Sequence, residues 1–377
     1  MAKYTIGVEI GSTAVRAAKI SGLDKDTFAI IDRFSNVDLP AGAVTAGAVR
    51  HPKVVAVALK TALADVGTRN SKIVLGITHP TAGLTRVPIP AAVKTPDRLK
   101  ALATLGTQVS ASLPINTTAL ATQQITKTEN AEGNPVSLLA VAGIRQETLE
   151  HTLGICSAAD VKPVAIDLSA AGLLRSLVRD TPSSLATTAI VDIGATQTTI
   201  IIRQGLRLRS VRGLQAGGLS LTETLAAAAK LSLEEAETRK EATQLVSHTQ
   251  PEMVLGPDYT GTADEEAYEQ KLNQKTVSEQ ALAAAVDHLV DQIALAIETD
   301  AEGEVRQVAL CGGSSLLRGL KERLQRRLGV EVRIGRPWAH LANNNSNKPH
   351  IQDGIENPKT MLLLATAIGL GLWEPPE

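Results

Sequence analysis

Aromatic side chains are nearly missing: two Phe, three Tyr and two Trp in 377 residues. The core must therefore be built from Leu, Ile, Val and Ala, which bury less area per side chain than a ring does. Cysteine is just as scarce. Cys156 and Cys311 stand far apart, which speaks against a disulfide framework and for a reducing compartment, the cytoplasm. A net charge of −1 offers no excess of one sign to attract nucleic acid or an anionic membrane. No apolar h-region follows the first residues, so no secretory signal is expected. The longest apolar stretch, Met361 to Trp373, is too short to cross a bilayer and is broken by Thr and Gly. It is expected to form a buried helix, and membrane association is expected only through a partner. The few histidines show no metal-site spacing: His151 and His288 fall on expected helices, and Cys156 reads as a small buried apolar residue.

What is present is one short pattern written twice, half a chain apart. The first copy is Ile6-Gly7-Val8-Glu9-Ile10-Gly11-Ser12-Thr13-Ala14-Val15-Arg16, and the second is Ala189-Ile190-Val191-Asp192-Ile193-Gly194-Ala195-Thr196-Gln197-Thr198-Thr199. Each reads as an apolar strand carrying a carboxylate, a Gly-Ser/Ala-Thr turn, and a second strand. Glycine lets backbone approach a phosphate closely, and the hydroxyls and successive N–H groups are donors to it. The acid beside the turn suits a cation, held directly or through water. Two such hairpins imply a duplicated fold in which each half offers a phosphate loop to one ligand.

At 377 residues, with 44% apolar and 20% charged residues, the chain is long enough for two domains with full cores. A meander is expected over Tyr4–Ile10, Ala14–Ile20 and Thr27–Phe34, followed by helix Pro52–Val66 and strand Lys72–Thr78. Then comes a compact block: strand Thr85–Ile89, helix Pro96–Leu113, strand Ala119–Thr128, a turn at Asn130–Pro135, strand Ser137–Ile144 and helix Gln146–Ala159. Strand Lys162–Leu168, helix Ser169–Val178 and a linker at Pro182–Ser184 lead to the second hairpin. Gly217-Gly218 lies between strand Leu206–Val211 and helix Leu219–Ala229. Charged helical segments fill the rest of 219–275, with a Gly/Pro/Asp-rich loop near 256–264. The long helix Val277–Thr299 precedes strand Gln307–Leu310, the turn Gly312-Gly313-Ser314, helix Leu317–Leu328 and a polar loop at Asn343–Pro349. Helix Met361–Leu372 closes the chain under the first domain.

Gly312-Gly313-Ser314 between strand and helix lets backbone lie flat against a purine or phosphate near a helix N-terminus; an ordinary structural turn reads the same way. Gly217-Gly218 either closes over phosphates or is a bare strand–helix connection. Glu237 and Lys240, at i and i+3, share a helix face, which is either solvated or a clamp for ribose and adenine.

In order and spacing these pieces resemble the actin-like ATPase superfamily, and within it most closely the PilM family of type IV pilus assembly proteins. The resemblance spans nearly the whole chain. It rests on both hairpins, Arg86-Val87-Pro88-Ile89-Pro90, Lys162-Pro163-Val164-Ala165-Ile166-Asp167-Leu168 and Gly217-Gly218-Leu219-Ser220-Leu221-Thr222-Glu223. It continues through Glu235-Ala236-Glu237, Gly312 to Leu320 and Ala367-Ile368-Gly369-Leu370. It implies an α/β fold of two duplicated actin-like (RNase H-like) domains with a small α/β subdomain inserted. Residues 1–83, completed by about 161–184 and 355–377, would form the first domain. Residues 84–160 would form a peptide-binding subdomain, and 185–354 the second domain with its helical insert near 219–275.

The resemblance further implies ATP and Mg2+ as cofactors. Gly11, Ser12, Thr13 and Arg16 would form the first phosphate loop and Gly194, Ala195 and Thr196 the second. Gly217 and Gly218 would close over the phosphates, Glu237 and Lys240 would flank ribose and adenine, and Gly312, Gly313 and Ser314 would cradle the adenosine. Glu9 and Asp192 would meet the magnesium. The implied partner is the N-terminal cytoplasmic peptide of a PilN-like inner-membrane protein, alongside other pilus assembly proteins. That places the chain in the cytoplasm at the inner face of the membrane; self-association is left open.

Three departures bear on catalysis. Glu9 stands where the usual acid is Asp, Leu219 replaces the acid after the Gly-Gly cap, and Ser169-Ala170-Ala171 carries no Glu to orient water. Asp167, just before it, is the remaining catalytic candidate. Binding sums many loop contacts, whereas phosphoryl transfer needs positioned water and charge compensation, so slow or absent turnover is expected. Two rival readings exist: an FtsA-like division filament, which would call for a basic amphipathic end rather than the acidic one here, and a small-molecule kinase, which would need a base for the substrate hydroxyl.

Overall fold

The computed structural model describes residues 4–21, 29–79, 82–104, 118–177, 186–205, 207–245, 263–301, 303–337 and 357–374. The chain opens with an antiparallel meander of β1 (Tyr4–Ile10), β2 (Ala14–Ser21) and β3 (Ile30–Asp38). β3 runs four residues past the expected Phe34. Ser35 and Asn36 look like turn residues, but pairing with Ala17 and Arg16 of β2 carries them on as strand. A two-residue hairpin, β4 (Val44–Thr45) and β5 (Ala48–Val49), turns at Ala46 and Gly47, both at positive φ, as a primed turn requires. Helix α1 (Pro52–Val66) matches the expectation in both bounds. Pro52 fits its first turn, the stripe Val55, Leu59, Ala62 and Val66 is buried, and Gly67 at φ 69° ends it. β6 (Ser71–Ile77) then lies parallel to β1.

The inserted block comprises β7 (Gly83–Pro90), α2 (Arg98–Thr104), β8 (Thr118–Glu129), β9 (Pro135–Arg145) and α3 (Gln146–Ala158). The expected helix Pro96–Leu113 is described only as a 3-10 turn at Thr95–Asp97 and α2; its remainder lies outside the described residues. β10 (Ala165–Leu168) pairs with β6 and is shorter than expected at its start; α4 (Ser169–Leu177) follows.

The second lobe repeats the plan with β11 (Thr187–Ile193), β12 (Thr198–Gln204) and β13 (Arg207–Leu214) as an antiparallel meander. Helices α5 (Gly218–Ala229), α6 (Leu233–Ala242) and α7 (Ala263–Asp300) come next. Then come β14 (Val305–Cys311), α8 (Leu320–Leu328), β15 (Glu331–Ile334), α9 (Pro358–Leu363) and α10 (Ala365–Gly371). Helix α7 absorbs the expected Val277–Thr299 and begins earlier. Its segment Val277–Asp300 has the length and apolarity of a membrane span, yet Leu282, Val286, Leu289, Ile293 and Ile297 are buried in the second-lobe core. α8 starts three residues later than expected because Gly319, at φ 93°, interrupts the chain after a 3-10 turn. The expected closing helix is two short ones meeting at Leu364. The linker at 182–184 and the loop at 343–349 lie outside the described residues, as does most of the 256–264 loop.

The duplication is explicit in the sheets. The first lobe is ordered β10-β6-β1-β2-β3, and the corresponding part of the second is β15-β14-β11-β12-β13. The inserted strands extend this second sheet as β7-β9-β8, joined through the pair Leu84 and Val211. Between the lobes, α4 packs on the second-lobe sheet with Ile190, Ile201 and Ala309, while Ala367 and Ile368 of α10 pack on the first with Ala18 and Ile20. The two helices cross where a Cβ on Gly369 would fall inside the Gly172 carbonyl.

Gly369→Ala should therefore destabilise the chain by about 2–4 kcal/mol, the cost of overpacking a closed backbone contact. Gly154→Ala, in α3 where nothing stands within 4 Å of the new methyl, should be neutral or stabilise by up to about 1 kcal/mol. Urea unfolding of both variants measures the contrast; equal effects would mean that the crossing is not a tight constraint.

Candidate functional site

The two repeated turns close in the same way. Gly11 N–H donates to the Ala14 carbonyl at 2.9 Å, and Gly194 N–H donates to the Gln197 carbonyl at 2.9 Å. They face each other across a cleft of about 780 Å³ between the lobes. Ser12 Oγ and Thr196 Oγ1 meet at 2.5 Å, a direct hydrogen bond between the two copies. Gly11, Ser12 and Thr13 line the cleft from one side, Gly194 and Ala195 from the other. Thr196 does not line it: its hydroxyl also accepts the Ala46 N–H at 2.9 Å, so it fastens the β4–β5 hairpin to the second turn.

Behind the turns lie Glu9 and Asp192, one from each lobe, with the Arg16 charge acting on both. Arg16 is buried; its Nη1 lies 3.7 Å from Glu9 Oε2, its Nη2 donates to Thr13 Oγ1 at 3.3 Å, and its Nε has no hydrogen-bond partner. Burial pushes the Glu9 carboxyl above its usual range, and Arg16 and a Thr366 hydrogen bond oppose the shift. Burial, and then the Glu9 charge, push Asp192 up to about 7 against the pull of Arg16. Two partly buried carboxylates thus lie within reach of one guanidinium, and a cation at this spot would relieve the excess negative charge. Among the described residues no three metal-ligating side chains cluster. Two carboxylates suit an ion that takes its other ligands from water and phosphate, as magnesium does.

The floor is built from glycine contacts. Gly312 sits at φ 79°, and a Cβ there would lie 2.5 Å from both Asp192 Oδ1 and the Ile193 carbonyl, so only glycine fits. Gly313 and Ser314 continue into a 3-10 turn and line the cleft with it. Gly218 also lines the cleft, whereas Gly217 packs behind, against the Gly194 and Ala195 carbonyls. The first N–H groups of α5 are already used: Gly218 N–H donates to Gly194 O at 2.9 Å and Leu219 N–H to Ala195 O at 2.7 Å. The α5 N-terminus therefore supports the second turn.

Lys240 and Glu237 both line the cleft, with different freedom. Lys240 is buried and donates to Gly218 O at 2.9 Å, Thr222 Oγ1 at 2.7 Å and Glu237 Oε2 at 2.7 Å. All three ammonium protons are taken, so Lys240 is a fixed post between α5 and α6. Glu237, about half exposed, presents its carboxylate to the opening. Asp167 lies outside the cleft lining. Its Oδ1 accepts the Leu168 N–H at 2.8 Å, and its Oδ2 pairs with Arg175, which also donates to Gly369 O at 2.9 Å.

Sequence reasoning missed Gln197, Arg318 and the rim pair Lys359 and Glu241, which meet at 2.7 Å. No local signal marks that pair, because its members are distant in the chain.

Burial of Asp192 makes the stability of the chain depend on pH. The folded chain holds a proton that the unfolded chain releases above about pH 4, so this stabilisation is complete below that pH and is lost as pH rises to about 7. Asp192→Asn should raise the thermal midpoint of the ligand-free chain more at pH 8 than at pH 5. Equal shifts at both values would show that Asp192 does not titrate between them.

Comparison with known proteins follows the same lines. The family model for the type IV pilus assembly protein PilM matches residues 7–269, and that for the cell division protein FtsA matches residues 189–369. The solved PilM-PilN type IV pilus biogenesis complex contains a chain 22% identical, with a TM-score of 0.75 over 98% of this chain and 97% of that one. The ethanolamine utilization protein EutJ from Carboxydothermus hydrogenoformans is 15% identical, with a TM-score of 0.52 over 98% of this chain and 90% of that one. Among curated proteins, none matches. With the actin-like fold present throughout and the family model covering more than half of the sequence, the chain belongs to the PilM family of type IV pilus assembly proteins.

Proposed function

We propose that this chain binds ATP with magnesium in the interlobe cleft and acts as a cytoplasmic scaffold of type IV pilus assembly. In this role it docks a short cytoplasmic segment of a PilN-like inner-membrane protein. The observation that carries the nucleotide reading is the meeting of two copies of one Gly-hydroxyl turn across a single cleft. Gly11, Ser12 and Thr13 would hold phosphate from one lobe, Gly194 and Ala195 from the other, with Thr196 setting the second turn. Gly312, Gly313 and Ser314 would take the nucleoside, Glu237 the ribose side, and Lys240 and Gly217 would support rather than touch it. Glu9 and Asp192 would hold magnesium through water, with Arg16 balancing their charge. Magnesium supplies compensation for phosphate charge when bound.

Turnover should be slow or absent. Asp167, the remaining catalytic candidate, is held by Arg175 away from the cleft, and α4 begins with a neutral serine. That pairing weighs against a small-molecule kinase as well. An FtsA-like filament protein is a second reading, favoured by the match over residues 189–369. The PilM match takes in the first lobe and the inserted block, which favours the scaffold.

The docking segment would lie at the junction of the inserted block with the first lobe, where Leu153 of α3 and Val164 before β10 are 45% and 54% exposed. An extended segment can add side-chain contacts there to backbone pairing. The protein would then sit at the inner face of the membrane through its partner, among other pilus assembly proteins.

Thr13→Glu places a negative charge on an exposed position of the first turn and should weaken ATP binding at least about 100-fold, since like charges in contact cost several kcal/mol. Calorimetry with a correctly folded variant checks this; unchanged affinity would remove the nucleotide assignment. Leu153→Asp with Val164→Asp should abolish capture of the PilN-type tail peptide in a pull-down and leave ATP affinity intact. Retained capture would place the docking face elsewhere.

A further inference from the structure

Three side chains that line the cleft are joined into one cluster: Thr222 of α5, and Glu237 and Lys240 of α6. Thr222 and Lys240 are 1% and 4% exposed, whereas the Glu237 side chain is 48% exposed. Lys240 Nζ donates to Gly218 O, Thr222 Oγ1 and Glu237 Oε2, which uses its three protons. The Thr222 hydroxyl has one proton and two acceptors in reach, Gly218 O at 2.9 Å and Glu237 Oε2. Gly218 O already receives Lys240, and a carboxylate is the stronger acceptor, so the Thr222 proton goes to Glu237. One oxygen of Glu237 is thus tied twice, from two helices. Its Oε1 has no hydrogen-bond partner among the described residues.

The cluster stands against the Gly312–Ser314 loop. A Cβ on Gly218 would lie 2.1 Å from Ser314 Oγ and 3.4 Å from Lys240 Nζ, so α5 starts in the gap between that loop and the lysine. The anchor of Glu237 therefore adjoins the loop assigned above to the nucleoside. An unrestrained glutamate on a rim gives up side-chain freedom each time it binds. One already held by a buried hydroxyl and a buried ammonium has little left to lose. We propose that Thr222 is a positioning residue of this site: together with Lys240 it fixes Glu237 so that Oε1 is offered to the vicinal hydroxyls of a nucleotide's ribose. This rests on the nucleotide reading above, and adds to it the side chain that sets the carboxylate and the part of the ligand that depends on the setting.

Ribose hydroxyls are donors, and a hydroxyl that donates to a carboxylate makes one of the stronger hydrogen bonds. A nucleotide without those hydroxyls leaves Oε1 to water. Because Glu237 is half exposed, that loss is milder than in a fully buried site, where an unpaired polar group is heavily penalised. Thr222 acts only through Glu237. With its hydroxyl removed, Lys240 still donates to Gly218 O, and Gly218 N–H still donates to Gly194 O, so the second turn keeps its support. The loss of the hydroxyl should therefore fall on the ribose contact and spare the phosphate contacts.

Calorimetry on the full chain with ATP and with 2′,3′-dideoxy-ATP, each with magnesium, tests this. The unaltered chain should bind ATP about tenfold more tightly than the dideoxy form. Thr222→Val, which replaces only the hydroxyl by a methyl, should erase the preference by weakening ATP and not the dideoxy form. Thr222→Ser, which keeps the hydroxyl, should retain it. A Val variant that still prefers ATP, or a Ser variant that does not, overturns the proposal. Equal binding of both nucleotides by the unaltered chain removes the proposal alone; binding of neither removes the nucleotide reading and the proposal with it. A crystal structure of the ligand-free chain decides even where a variant does not fold. Thr222 Oγ1 and Lys240 Nζ should share one oxygen of Glu237, and contacts to different oxygens, or a carboxylate turned away from both, overturn the proposal.

Discussion

The contact on which the rest depends is the crossing of α4 and α10 with a glycine on each side. Gly172 and Gly369 let two backbones touch where any side chain would drive them apart. Each helix then packs on one lobe while gripping the other helix: α4 on Ile190 and Ile201, α10 on Ala18 and Ile20. Gly7 of β1 and Gly76 of β6 extend the same economy of space, since added methyls there would strike Ala367, Leu370 or Ser169. Arg175 pins the crossing by bonding both Gly369 O and Asp167. A core poor in aromatics suits this arrangement. Rings would hold the helices too far apart for the two turns to meet across the cleft.

Where the α4–α10 crossing is closely packed, the cleft carries unbalanced charge. Glu9 and Asp192 are half-buried beside one guanidinium, and Arg16 keeps an unpartnered Nε. Burying unbalanced charge is costly unless something compensates it. Acids from both lobes meet here at that cost, which suits a site that a bound cation would complete. The neighbouring donors fall into two groups. Those of Thr196, Lys240 and the α5 N-terminus are already bonded within the protein, and they hold the cleft's shape. The residues of the turns and of the Gly312 loop line the opening itself.

How much of this was legible in the sequence depended on how local the cause was. Helix α1 could be read to the residue because its apolar stripe, its Pro52 start and its Gly67 stop all lie within one segment. The duplicated fold was legible because each turn carries its own Gly and hydroxyls. Non-local causes left no mark. Ser35 and Asn36 belong to a strand only because β2 lies beside them. The closing helix breaks at Leu364 without a proline or glycine at that position to announce it. Thr196 was read as a phosphate donor from its turn, while its hydroxyl is engaged by Ala46 from the other lobe. Lys240 was read as a ligand clamp from its helix face, while its three acceptors come from α5 and α6 together.

The sheet topology adds a consequence for how the parts act together. By chain connection the inserted block belongs to the first lobe, which it leaves after β6 and rejoins at β10. By hydrogen bonding its strands continue the second-lobe sheet through Leu84 and Val211. A rotation of one lobe against the other must therefore strain either that single strand junction or the packing of α3 on α1, where Ile155 and Cys156 join the first-lobe core. On the proposed reading, a nucleotide in the cleft and a peptide at the block's junction both bear on the same relative position of the lobes. Two ligands that favour one shared arrangement strengthen each other's binding by equal factors, and two that favour different arrangements weaken each other equally. The inserted block, tied to one lobe by its chain and to the other by its sheet, is the element that would carry that coupling.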